Sequence, residues 1–285
     1  MIRFPMIPLP TIGKPQAIGP KENVMLNEET VARFEQDGAV VLRGVFKDWI
    51  EPLREGVERN LAKPSPMHRD YSRGGGRFFG DYCNWRRIPE YRRFVMESPA
   101  AGMARTLMGS SVARVFHDHL LVKEPGADVP TPWHHDEPYY CVEGPKTVSF
   151  WLPLDPVPRD VCLELVAGSH TWGKLFRPRR FNGTAYDHRS DRLSDMPDID
   201  GDRGAYRILG WDLELGDCIA FNFKTVHGAP GNRSAGRRRA FSLRWFGDGT
   251  VYADRGGETS PPYPHLAAAL ASGDALPLDE FPVIA

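Results

Sequence analysis

From Val112 onward the chain breaks into apolar runs no longer than a β-strand, and this texture limits its fold more than any other feature. Runs at 112–116, 120–122, 147–154, 163–166, 213–215, 218–223 and 239–246 carry many β-branched and aromatic residues. Turn formers separate them, as in Glu124-Pro125-Gly126 and Leu215-Gly216-Asp217. Short strands joined in this way point to a jelly roll or barrel, not to a parallel α/β sheet.

The first third reads differently. Asn27 is placed to cap a helix, Glu28 and Glu29 sit favourably in its first turn, and Gly38 can end it. A strand is expected at 39–42. Asp48-Trp49-Ile50-Glu51 reads as a capping box, and Ile50, Leu53, Val57 and Leu61 put one apolar stripe on the helix that follows. Ser98-Pro99 marks another helix start, with Gly109 placed to stop it. Between the later strands, residues 171–210 form a charged excursion too poor in apolar residues to bury a core, which suggests an insertion or lid. No internal repeat is visible. The expectation is one domain over 1–285, mainly β with flanking helices: a helical layer at about 27–110 and a β-core at about 112–250.

Of the 285 residues, 36 are basic and 37 acidic, a balance that argues against a nucleic-acid binder working by bulk charge. No apolar run approaches the ~20 residues that span a bilayer. Prolines interrupt residues 1–20, leaving no secretory h-region. The four cysteines (Cys83, Cys141, Cys162, Cys218) are scattered without a C-x-x-C pair, which fits a reduced, cytoplasmic chain. A small-molecule partner is therefore expected, with no nucleic acid and no membrane; the oligomeric state is not legible.

Chemistry concentrates in Trp133-His134-His135-Asp136-Glu137. If this segment is extended, His134 and Asp136 point to one face and His135 to the other. A third ligand must then come from a strand distant in sequence, and His227, just before a Gly/Pro turn, can supply it. Two imidazoles and one carboxylate on one face of an octahedral metal leave three positions open, the arrangement of non-haem iron(II) oxygenases. The same donors also suit a zinc hydrolase, although no H-E-x-x-H is present. By itself an H-x-D is weak, since a chain with nine histidines can hold one by chance. A second feature is the return from His227 through Arg237, Arg238 and Arg239 into a strand. There Arg238, Ala240, Ser242 and Arg244 share one face, while Arg239, Phe241, Leu243 and Trp245 share the other. An inward guanidinium would grip a carboxylate in bidentate fashion.

Trp-His-His-Asp, the later Ala-Gly-Ser-His at 167–170, His-Gly-Ala-Pro-Gly-Asn at 227–232, and the closing Arg-Arg-Ala-Phe-Ser-Leu-Arg-Trp occur in order. Together they resemble the phytanoyl-CoA dioxygenase family, over about 28–254. The resemblance implies a double-stranded β-helix (cupin-like jelly roll) and an oxygenase that uses Fe(II), 2-oxoglutarate and O2 and releases succinate and CO2. It implies iron on His134, Asp136 and His227, the distal 2-oxoglutarate carboxylate on Arg238, and further co-substrate contacts from Lys123 and Trp151. For Trp151 a plain core position, and for Lys123 a solvated one, are the alternatives. Asp136 stands where related halogenases carry Ala or Gly, which favours hydroxylation. His135 stands where many relatives have Gln, and 160–163 where many have Asn-Gly; both departures bear on substrate contacts.

Substrate is expected to meet His135, Tyr139 and Arg244. Residues 67–93 hold seven arginines, three acids and interleaved aromatics, as a gate for an anionic, partly apolar molecule would. A solvated surface has the same composition. The competing functional reading is a catalytically inactive metal-binding β-helix module that senses or scaffolds.

Overall fold

The structure, a computed structural model, describes residues 26–73, 75–180, 184, 186 and 193–285. The proline-rich lead and much of the stretch between 181 and 192 lie outside the described residues. In chain order the strands are β1 (Ala39–Leu42), β2 (Arg69–Asp70), β3 (Phe78–Tyr82), β4 (Arg114–Lys123), β5 (Thr131–His134), β6 (Val142–Glu143), β7 (Thr147–Pro153), β8 (Glu164–Val166), β9 (Leu175–Phe176), β10 (Leu193–Ser194), β11 (Ile208–Leu209), β12 (Cys218–Phe221), β13 (His227–Ala229), β14 (Arg238–Phe246) and β15 (Val251–Tyr252). The helices are α1 (Glu28–Asp37), α2 (Ile50–Ala62), α3 (Pro89–Glu97), α4 (Ala100–Leu107) and α5 (Pro264–Ala269).

Seven strands form an antiparallel major sheet in the order β1-β12-β7-β14-β4-β3-β2, and four form a minor sheet, β11-β8-β13-β5. This is the double-stranded β-helix with flanking helices. Its outer layer follows from the period-two pattern of β14 and its neighbours. Phe241, Leu243 and Trp245 of β14, Leu120 and Val122 of β4, and Phe150 of β7 pack against helical Leu53, Val57, Tyr91 and Phe94. The Tyr91 and Phe241 rings lie 4.5 Å apart, and Phe94 meets Phe241 edge-on at 5.8 Å. The alternate residues of the same strands face a cavity between the two sheets.

The helix starts conform in part to local signals. Asn27 Oδ1 accepts from the Thr30 amide at 2.8 Å, and Gly38, at φ 72°, closes α1 through its N–H to Phe34 O. Asp48 does not cap α2. It lies inside a 3₁₀ turn, Lys47–Trp49, set by the buried Phe46, whose amide donates to Gly216 O at 3.0 Å. Two further expectations change. The runs at 112–116 and 120–122 are one strand, β4. His117, Asp118 and His119 break its apolar run but not its alternation. Between them, Asp118 turns outward to accept from the Asn84 and Trp85 amides at 2.7 Å. Residues 213–215 make only the single bridge of Leu213 to Val157. The aromatic stretch expected as a gate contributes β3, fully buried and paired with β4. Beyond residue 250, Tyr263, Leu266, Leu276 and Phe281 close one end of the barrel over Phe116, Phe223 and Phe246.

Removing the ring at the centre of the outer layer tests this packing: Phe241→Ala should cost about 3–5 kcal/mol in urea unfolding. Because Phe241 faces away from the cavity, metal affinity should persist. Leu278→Ser, at a side chain 63% exposed, should change stability by no more than about 0.5 kcal/mol.

Candidate active site

Pairing in the minor sheet sets His227 of β13 directly opposite His134 of β5. Their rings lie 4.2 Å apart, and each Nε2 is 3.8 Å from Asp136 Oδ1. Asp136 is not in the strand. β5 ends at His134, and Asp136 has turned to φ −72°, ψ −38°, its amide donating to Phe223 O at 2.8 Å. Convergence therefore rests on that turn and not on strand alternation. Both histidines make the same local bond: Nδ1 of His134 donates to Pro132 O at 2.8 Å, and Nδ1 of His227 to Thr225 O at 2.9 Å. A carbonyl can only accept, so each Nδ1 carries the proton and each Nε2 lone pair is left toward Asp136.

Electrostatics keep the donors ready. Burial pulls His134 below its ordinary value and, with His134 beside it, takes His227 to about 3, so both imidazoles are neutral near pH 7. Burial alone would raise Asp136, but Arg244, His227 and His134 outweigh it and hold the carboxyl well below the usual range. Arg244 Nε lies 3.6 Å from Asp136 Oδ2, and Ser149 Oγ donates to the same oxygen at 3.1 Å. Two neutral imidazoles and an ionised carboxylate, with tautomers already set, fit a divalent iron.

The cluster opens into a cavity of about 560 Å³ lined by both sheets. At one end of its floor stand Lys123 of β4 and Arg238 of β14, opposite one another in register. Lys123 Nζ donates to Val129 O at 2.9 Å and Pro230 O at 3.1 Å, and sits 4.5 Å from the centre of the Phe78 ring. Arg238 donates to Val161 O and, at 3.2 Å, to Pro230 O. Neither cation meets a carboxylate among the described residues. Burial, with Arg238 beside it, brings Lys123 down to about 6, and burial brings Arg238 to about 10. Like charges directly opposite destabilise a sheet, which adds to burial in making Lys123 give up its proton readily beside Arg238; an anion docking between them would favour the charged lysine. Arg239 points the other way, to Asp155 at 2.6 Å. Asn232 fixes the turn that aims Arg238 inward, its Nδ2 donating to Lys123 O and Gly236 O.

Of the other expected residues, Trp151 lines the cavity, across from Ser242, and so does Tyr139, whose ring is 5.6 Å from that of His134. The Tyr139 hydroxyl also bonds the backbone of Arg179 at 2.8 Å, tying down the edge of the 171–210 excursion. Arg244 lines the cavity as well. His135 does not. Both of its nitrogens are spent on backbone, accepting from Phe176 N at 2.9 Å and donating to Lys224 O at 3.3 Å, so the expected substrate contact is corrected to a structural one. Arg69, Arg73 and Tyr82 from the 67–93 stretch, and Arg177, Arg179 and Arg180 from the later excursion, border the cavity. His117, His119 and Tyr140 were missed. Alternation along β4 from Lys123 would have found the two histidines, which share its inward face.

The phytanoyl-CoA dioxygenase family model matches residues 34–240. The chain belongs to that family. As a member it is an iron(II)- and 2-oxoglutarate-dependent oxygenase of a small molecule, with O2 as oxidant. No curated protein matches it. Among solved structures it is similar to SnoK, a non-haem α-ketoglutarate-dependent carbocyclase from nogalamycin biosynthesis. That match has 26% identity and TM-score 0.71 over 91% of this chain and 97% of the other. It is similar to the epimerase SnoN in complex with Fe3+, α-ketoglutarate and nogalamycin RO, at 24% identity and TM-score 0.71 over 90% and 98%. EctD from S. alaskensis shares 19% identity and TM-score 0.65 over 82% and 81%. Among the described residues no helix is long and apolar enough to cross a membrane.

Losing a metal ligand should weaken iron more than losing its outer hydrogen-bond partner, which costs roughly 10–100-fold. His134→Ala, Asp136→Ala and His227→Ala should each lower Fe(II) affinity by roughly a hundredfold or more. His135→Ala should leave it within about threefold while lowering the melting temperature. Anaerobic metal titration separates the two outcomes.

Proposed function

We propose that His134, Asp136 and His227 hold Fe(II), that Lys123 and Arg238 hold the distal carboxylate of 2-oxoglutarate, and that the enzyme hydroxylates a C–H bond of a small anionic substrate. The observation that carries this reading is the buried Lys123–Arg238 pair, without a carboxylate partner among the described residues and lining the same cavity as the His–Asp–His cluster. Bound iron, with 2-oxoglutarate and O2, supplies the power to oxidise a C–H bond. The protein's own residues hold the ligand geometry, neutralise the co-substrate and keep the floor dry. Trp151, paired with Ser242 on the strand that carries Arg238, supplies one wall of the same cavity. One domain carries all of this, a reading supported by β1, β2 and β3 of the N-terminal part joining the major sheet.

Hydroxylation is the expected outcome because Asp136 keeps the third protein ligand in place. An anionic substrate is supported by the mouth, where, among the described residues, Arg69, Arg73, Arg177, Arg179 and Arg180 outnumber the acids Asp70 and Glu258. Some of these arginines are paired, as Arg180 is with Glu258 at 3.0 Å and Arg177 with Asp195 at 3.8 Å, yet the described residues of the rim stay net positive. Succinate release from the iron-loaded enzyme, screened with carboxylic acids and their methyl esters, tests this. The acids should show KM values lower by roughly tenfold, with the gap closing at high salt. Equal KM values would overturn the anionic preference.

Arg238→Lys keeps the charge but loses the fork; a charge-assisted hydrogen bond is worth roughly 1.5–3 kcal/mol. The 2-oxoglutarate requirement should rise by roughly ten- to a hundredfold, whereas Arg239→Lys, engaged with Asp155, should change it little.

Lys123 adds a pH signature. Its free value near 6 must rise when a carboxylate docks beside it. Between the free and bound values, binding then takes up a proton. Above pH 6, 2-oxoglutarate affinity should fall with rising pH, by at most tenfold per unit. Calorimetry at pH 7.5 in buffers of different ionisation enthalpy should report proton uptake, lost in Lys123→Met.

A further inference from the structure

The opposite end of the cavity floor carries polar atoms that the co-substrate clamp does not use. Along β4 the inward residues run His117, His119, Leu121 and Lys123, and along β14 they run Arg244, Ser242, Ala240 and Arg238. At about 3.3–3.4 Å per residue, His119 lies roughly 13 Å from the clamp along its strand. Arg244, His117 and His119 gather around Tyr140 and Tyr82. Arg244 Nε donates to Tyr140 Oη at 2.6 Å, the His117 and Tyr140 rings are 5.2 Å apart, and the His119 and Tyr82 rings 5.1 Å. Among the described residues, three buried atoms on this wall find no hydrogen-bond partner: Arg244 Nη1, His117 Nε2 and His119 Nε2. Buried polar atoms are almost always satisfied, so three on one cavity wall call for a ligand.

Their chemistry says which. Arg244 Nη1 can only donate. His117 Nδ1 donates to Asp118 O at 3.2 Å, so the Nε2 of this neutral ring can only accept. No hydrogen bond among the described residues sets the tautomer of His119, which can take either part. The wall thus asks for a group that both accepts, from Arg244, and donates, to His117, and a hydroxyl does both with a single atom. A carboxylate would set lone pairs against the His117 lone pair, and an apolar group would leave every one of these atoms unmet.

We propose that Arg244, His117 and His119 form a substrate subsite that binds a hydroxyl group, phenolic or alcoholic, at the cavity floor beside the iron ligands. This rests on the oxygenase reading above and names its substrate class: a hydroxy acid with an aromatic or alicyclic body, its hydroxyl seated on the floor and its anionic end at the arginine rim. His117 and His119 are specificity residues in this scheme, and Arg244 serves both the substrate and Asp136.

The test is calorimetric binding to the full chain loaded with Fe(II) and saturating 2-oxoglutarate under argon. Three probes differ only at the ring: para-hydroxyphenylacetate, phenylacetate and para-carboxyphenylacetate. A site built to bond a hydroxyl rejects analogues that lack it, so the hydroxy probe should bind roughly tenfold or more tighter than phenylacetate, and the carboxy probe no tighter than phenylacetate. In His117→Phe the preference should drop below about threefold with Fe(II) and 2-oxoglutarate affinity retained, and His117→Gln, which keeps an acceptor, should restore part of it. A wild-type preference under threefold, including no binding of the hydroxy probe, overturns the subsite. So does an unchanged preference in His117→Phe. Failure of the wild type to bind Fe(II) or 2-oxoglutarate overturns the oxygenase reading itself, and the two failures are read in separate titrations.

Discussion

His227 can meet His134 only because β13 lies between β5 and β8 in antiparallel register, and the rest of the site is arranged around that pairing. Backbone hydrogen bonds place two imidazoles side by side. The same carbonyl contact, two residues upstream in each case, orients both rings so that Nε2 faces Asp136. Asp136 is brought in by a different device, the bond from its amide to Phe223 O just beyond β12. The carboxylate thus takes its position from the strand that leads into β13, which couples the third ligand to the second. A slip of one residue in that pairing would turn His227 away from the cavity and lose the triad at once.

The major sheet puts stability and chemistry on opposite faces of the same strands. β14 is central, hydrogen-bonded to both β4 and β7. Its odd-numbered apolar residues hold the helical layer, while its even-numbered residues provide Arg238, two small side chains and Arg244. Two buried guanidiniums on one strand are costly to desolvate. The outer face, with Phe241, Leu243 and Trp245 fully buried, supplies the apolar packing that lets the strand carry them. The cationic ends do different work. Arg244 is electrostatically matched by Asp136, whereas Lys123 and Arg238 meet no carboxylate among the described residues, an asymmetry that favours an anion at their end.

Much of this was legible in residue order. The identities of the triad follow from the motif, though not its geometry, and the inward set Arg238, Ala240, Ser242 and Arg244 and the outward set Phe241, Leu243 and Trp245 follow from strand period. The cap at Asn27 and the stop at Gly38 follow from local chemistry. Expectations went astray where a distant contact decided. Asp48 fails as a cap because Phe46 is pinned to Gly216. β3 reads as part of a charged, aromatic surface because its burial is supplied by β4, and β4 reads as two strands because His117, Asp118 and His119 look like a polar break when no cavity is in view.

What the sequence by itself determined is therefore the inventory and the parity: which donors exist, which residues share a face, and that the strands are too short and too punctuated for a parallel α/β sheet. Tertiary structure alone decided the neighbours. It put His227 across from His134, turned Asp136 out of the strand to join them, and paired Lys123 with Arg238. It also spent His135 on Phe176 and Lys224, and left Arg244, His117 and His119 with atoms unmet by the described residues. The physical reason is that side-chain periodicity is a property of one strand, readable from a few residues. Register is a set of hydrogen bonds between strands far apart in the chain, settled only when the whole sheet closes.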